Sequence, residues 1–116
     1  MSTIAIVLVL LVALLHLYFL VLEMFLWTRP IGLKTFRNTP EKAELTRVLA
    51  ANQGLYNGFL AAGLLWATMT AQRDVALFFL ACVVIAGLYG AATVSRRIFY
   101  VQAVPALAAI AALLLG

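Results

Sequence analysis

The chain has 116 residues, 66% of them hydrophobic and only 10% charged, with a formal net charge of +4. Soluble domains carry about 45–50% apolar and roughly 25% charged residues, and a chain this short has no core able to bury such an excess, so lipid must be the solvent for much of it. Its eight basic residues are split among short polar stretches, which excludes a nucleic-acid footprint, and the single Cys82 and single His16 leave neither a disulfide nor a metal-ligand set within the chain.

In chain order, a first helix is expected over about residues 3–27, which exceeds the roughly 20 residues a hydrocarbon core requires. Met1 to Ala5 carry no lysine or arginine and no small-residue cleavage site follows, so this is read as a retained span rather than a signal sequence. Trp27 lies at its polar edge, where amphipathic rings settle at the membrane–water boundary. Thr28-Arg29-Pro30-Ile31-Gly32 is a breaker cluster, read as loop. Thr39 then reads as a cap, Pro40 suits a first helical turn, and Glu41 complements the positive end of the helix dipole. The second helix spans about residues 45–70 after an interfacial start carrying Lys42, Glu44 and Arg47. Asp74 is the expected cap of a third helix over about residues 75–94. Ser95-Arg96-Arg97 breaks the chain again, and a fourth helix covers about residues 98–115, with Pro105 a candidate kink.

Orientation follows from the basic residues. Arg29, Lys34, Arg37, Lys42 and Arg47 flank the first loop, and Arg96 and Arg97 lie in the third. Against these seven, only Arg73 lies on the opposite side. Basic loops stay in the cytoplasm. The expectation is an all-α, single-domain four-helix bundle over residues 1–116, integral to the cell inner membrane, with both termini outside the cytoplasm.

The polar residues inside the spans carry the functional information, because a polar group in hydrocarbon is costly unless paired or wetted. His16 and Glu23 are seven residues apart, within about 20° of one face of a helix. The second helix carries Asn52, Gln53, Tyr56 and Asn57. Depth measured inward from Leu45 sets Glu23 level with Asn52 and Gln53, and His16 level with Asn57. Tyr89, Thr93 and Ser95 on the third helix and Tyr100 and Gln102 on the fourth fall in the same cytoplasmic half, with Arg96 and Arg97 at its mouth. A polar cavity opening to the cytoplasm and ending near His16 is therefore expected. Glu23 and His16 are the candidate reactive pair. Asn52, Gln53, Tyr56, Asn57, Tyr89, Arg96, Tyr100 and Gln102 are the candidate ligand-binding groups. The plainer alternative is interhelical hydrogen bonding for the amides and tyrosines, with Glu23 and His16 a structural pair. For Arg96 and Arg97 it is a topology signal, and for Cys82 simple packing.

Ala50, Gly54, Gly58 and Ala62 recur at every fourth position, a small-residue stripe that lets backbones approach closely. It offers either an intrachain contact, with Ala86 and Gly90 as a matching surface, or a homo-oligomer interface.

The runs Leu22-Glu23-Met24-Phe25-Leu26-Trp27, Asn52-Gln53-Gly54-Leu55-Tyr56-Asn57-Gly58 and Tyr89-Gly90-Ala91-Ala92-Thr93-Val94-Ser95-Arg96-Arg97 together resemble a bacterial family of small four-helix membrane proteins, domain of unknown function 1304. The resemblance covers nearly the whole chain. It implies the architecture and brings no activity, cofactor or substrate.

Three classes of function fit these residues. One is a membrane-embedded small-molecule site, binding or catalytic, with Glu23 as acid or base. It is analogous only in architecture to the four-helix eicosanoid and glutathione enzymes of membranes, whose Arg-x-x-x-Asn-x-x-Glu pattern is missing because Arg47 stands five before Asn52 and Leu55 replaces the glutamate. The second is a small proton-coupled transporter using Glu23. The third is a structural or assembly subunit held by the small-residue stripe.

Overall fold

The computed structural model describes residues 1–116 and contains helices but no strand. The helices are α1 (Thr3–Met24), α2 (Pro30–Phe36), α3 (Pro40–Met69), α4 (Arg73–Thr93) and α5 (Arg96–Leu115). Three of them, α1, α4 and α5, are long and apolar enough to cross a membrane. At 30 residues α3 is longer still, but Asn52-Gln53 and Tyr56-Asn57 interrupt its apolar run. Leu11, Leu14, Phe78 and Ile85 are each more than half exposed, a pattern that hydrocarbon satisfies and water does not.

Several boundaries differ from the sequence expectation. α1 stops at Met24, and the chain folds back through Leu26, whose N–H reaches Val21 O at 3.2 Å. Trp27 therefore sits in a loop rather than on the helix. The breaker cluster contains a helix: Pro30 opens α2, where its missing N–H costs nothing. Thr39 does cap α3, its Oγ1 accepting the Lys42 N–H at 3.2 Å. Asp74, by contrast, lies inside the first turn of α4, and Gln72 holds the capping position without a capping side-chain bond, its amide donating instead to Thr70 Oγ1 at 2.8 Å. Asp74 still favours the positive dipole end there.

Pro105 acts through a register change. A π turn over Phe99–Ala103 precedes it, with the Val104 N–H bonded to Phe99 O. Proline crowds the carbonyl four residues back, here Val101, and cannot donate to it. Widening the preceding turn relieves that clash without breaking the helix.

The chain divides into two compact units, residues 1–14 with 60–116, and residues 15–59. In the first, Ala5, Val9, Val12 and Ala13 of α1 pack with Leu64 and Ala67 of α3, Ala76, Leu80 and Val83 of α4, and Ala106, Ala109 and Leu113 of α5. Gly87 faces the Ala103 backbone at the π turn, where an added Cβ would lie 2.9 Å from Ala103 N, and Gly90 faces Ile98. The face of α4 expected to match the α3 stripe is thus turned to α5, and Ala86 is exposed.

The second unit holds the C-terminal part of α1, α2 and the N-terminal part of α3. Gly32 is buried against the Leu26 and Trp27 carbonyls so closely that any Cβ would overlap Leu26 O. Trp27 stacks on Phe36 at 4.8 Å and donates its indole N–H to Thr46 Oγ1 at 3.1 Å, while Thr46 donates to Lys42 O at 2.8 Å. These contacts tie α2 and the loop to the start of α3.

Candidate functional site

A stripe on α1 is buried at Ala5, Val9, Val12, Ala13, His16 and Glu23, following helical spacing. Its last two members are polar. His16 is fully buried and packs edge-on against the Phe19 ring at 5.4 Å. Glu23 is 9% exposed, in the last turn of α1. On α3 the one buried polar side chain is Asn57, 8% exposed.

Glu23 and Asn57 meet. Asn57 Nδ2 donates to Glu23 Oε1 at 2.5 Å, the direct side-chain bond that joins the two helices at this level. Gly54, one turn before Asn57, and Gly58, directly after it, explain how they come so close. An added Cβ on Gly54 would meet Met24 Cγ at 2.6 Å and Glu23 Cβ at 3.1 Å, and one on Gly58 would meet Leu20 Cδ1 at 2.7 Å. Leu20 and Met24 therefore dock where α3 has no side chains, and the backbones approach far enough for a carboxyl to reach an amide. Gly54 and Gly58 of the small-residue stripe serve this intrachain contact, while Ala62 is exposed.

The register differs from the sequence expectation by about one helical turn. Glu23 lies beside Asn57, not Asn52 and Gln53, and the contact of Leu20 with Gly58 carries His16 a further turn past Asn57. The depth estimate assumed that packing starts at Leu45. The glycines, rather than the start of the apolar run, fix where α1 lies on α3.

Of the other sequence-predicted site residues, Asn52 and Tyr56 are exposed on the outward side of α3, and Gln53, one turn before Asn57, is exposed at the flank. Tyr89, Arg96 and Tyr100 of the first unit are exposed as well, and Gln102 is half-buried in the π turn. Tyr89 faces away because its neighbour Gly90 takes the contact with α5. Of the sequence-predicted site residues, Glu23, Asn57 and His16 are the buried ones. Sequence reasoning missed Thr46 and Gly32. Thr46 carries no local signal, whereas a glycine directly after a helix-opening Pro-Ile is a recognisable sign of close backbone approach.

Chemically, the Glu23–Asn57 pair has one distinctive property. A carboxylate accepts from the amide N–H. With the amide turned over, a carboxylic acid donates to Oδ1 instead. The pair is thus able to hydrogen-bond in either protonation state, and the partner is a neutral amide rather than a cation.

The family model described as "Protein of unknown function (DUF1304)" matches residues 10–114, which include His16, Glu23 and Asn57. The chain is similar to the "Uncharacterized protein YpaA" of Lactococcus lactis subsp. lactis (strain IL1403), with 33% identity over 106 residues, 88% of this chain and 89% of that protein. No solved structure matches.

Proposed function

Because the chain belongs to the DUF1304 family, whose description assigns no activity, its function has to be read from its own side chains, and we propose that it is a multi-pass inner-membrane protein whose Glu23–Asn57 pair is the polar centre of an intramembrane small-molecule site. In this reading α1, α3, α4 and α5 form a single four-helix transmembrane domain with both termini outside the cytoplasm. Seven of the eight basic residues then lie on the cytoplasmic side. The site faces the cytoplasm, since Glu23 occupies the α1 turn nearest the basic loop.

One observation carries the proposal: a buried carboxyl in an apolar helix, bonded across to a buried amide. An ionisable group in a span is costly and marks a functional site by default. A neutral partner that serves both protonation states suits a group that takes up or releases a proton. Glu23 is the acid or base, Asn57 positions it, and His16, about 10 Å further along α1, forms the floor of the site.

Native mass spectrometry of the detergent-purified protein tests this. A co-purifying small molecule lost in Glu23→Gln and Asn57→Leu, with helicity retained, supports the site. The same molecule retained by both variants overturns it. Proton-coupled transport uses the same residue and is favoured by the same neutral pairing. Substrate flux in proteoliposomes that follows a proton gradient and vanishes in Glu23→Gln would establish transport over a static site.

A further inference from the structure

α3 carries a second polar feature that the Glu23 site does not use. Leu45, Leu49, Asn52, Tyr56 and Phe59 follow one another at spacings of four and three, and all five project outward. Leu45 is 86% exposed, Leu49 71%, Tyr56 60% and Phe59 57%. This is the spacing of a coiled-coil seam. Lipid satisfies its apolar members but not the amide at its centre, because hydrocarbon offers no hydrogen-bond partner. Neither Asn52 nor the adjoining Gln53 makes a side-chain hydrogen bond within the chain.

An amide both donates and accepts, so it is complementary to itself. The basic-residue bias inserts every copy in one orientation, so two copies meeting about a two-fold axis along the membrane normal bring their α3 helices together parallel and in register. Each seam residue then faces its own counterpart. A polar residue in such a seam fixes register and oligomeric state.

We propose that this face of α3 is a homodimer interface occupied by a second copy of the chain, with the Asn52 amides paired across the axis. It is distinct from the Gly54–Gly58 surface, which already receives α1. The inference rests on the membrane orientation proposed above.

Cysteine crosslinking in native membrane vesicles tests it, in a Cys82→Ala background. Leu49→Cys and Tyr56→Cys keep Asn52 in place and are expected to form disulfide-linked dimers several-fold more efficiently than the off-seam controls Ala51→Cys and Leu55→Cys. Adding Asn52→Ala to Leu49→Cys is expected to lower its dimer yield several-fold. Equal yields at seam and control positions overturn the proposal, as does a yield indifferent to Asn52→Ala. Modification of Leu49→Cys by a membrane-impermeant maleimide without crosslinking means a wetted face, and a crosslink to a different protein means another occupant; either result also overturns it. Impermeant labelling of Lys34→Cys against Arg73→Cys checks the orientation separately. Glu23→Gln is expected to leave the seam crosslink intact, so failure at the small-molecule site and failure at the seam are read apart.

Discussion

The side-chain amide of Asn57 bonds to the carboxyl of Glu23 at 2.5 Å, joining two helices at positions 34 residues apart in sequence. Removing one partner strands the other. Asn57→Leu leaves a buried carboxyl unpaired, at a cost of about 1–3 kcal/mol. Glu23→Gln keeps an amide-to-amide bond and is expected to cost less. The double variant Glu23→Leu/Asn57→Leu removes both polar groups and is expected to recover most of the loss, since apolar replacement of a whole buried pair can be near neutral. Thermal unfolding in detergent across this cycle reads the coupling, and strictly additive effects would count against it.

The two glycines facing α1 differ in what a methyl group would strike. At Gly54 it meets Met24 Cγ, Glu23 Cβ and the Leu20 carbonyl, whereas at Gly58 it meets only the end of the Leu20 side chain. A backbone carbonyl and a Cβ cannot swing aside, but a Leu terminus can. Gly54→Ala is expected to destabilise by about 1–3 kcal/mol through overpacking, with Gly58→Ala the milder of the two. Unfolding midpoints of the two variants check the order.

Gly32 should be the least replaceable glycine in residues 15–59. Any Cβ there overlaps Leu26 O, and the Trp27 carbonyl closes the other side at 2.9 Å. Gly32→Ala is expected to detach α2 and break the Trp27–Phe36 stack and the bond to Thr46. In a Trp66→Phe background, indole fluorescence should move to longer wavelength as Trp27 becomes wet. An unchanged spectrum would show that α2 tolerates the methyl group.

Ala71 holds the left-handed conformation that ends α3, with φ of 53°. The Gln72 N–H bonds to Ala67 O at 2.9 Å and the Ala71 N–H to Thr68 O at 3.3 Å, the pairing of a Schellman cap. Glycine is preferred at that position because left-handed geometry costs an L-residue roughly 1–2 kcal/mol. Ala71→Gly is therefore expected to raise the melting temperature by a few degrees. A lowered melting point would mean that the alanine methyl makes a compensating contact.

Much of the helical plan was legible in the sequence. Thr39-Pro40-Glu41 announced α3 through a cap, a proline and an acid placed where helix physics wants them. The breaker cluster hid α2 because Pro30 and Gly32 serve a loop and a helix start equally well by composition. Their use became evident only from the approach to Leu26. The polar contact between α1 and α3 was legible in kind, an acid of one helix meeting an amide of the other, with Glu23, His16 and Asn57 buried. Its register was not, because depth along a span was measured from the apolar run, while the contact is set by two missing side chains. Nor did sequence separate the two faces of α3. Asn57 turns toward α1, whereas Asn52 and Tyr56 turn outward and Gln53 lies exposed at the flank, and residues spread over so wide an arc do not reveal which edge faces in.

The most direct measurement is the infrared band of the Glu23 carboxyl in the lipid-reconstituted protein, assigned by its disappearance in Glu23→Gln. Losing the amide bond changes the carbonyl stretch, so Asn57→Leu is expected to shift this band, while Gln53→Leu, at an exposed position not bonded to Glu23, is expected to leave it in place. A band unmoved by Asn57→Leu, or moved equally by Gln53→Leu, would contradict the pairing on which the proposed site rests.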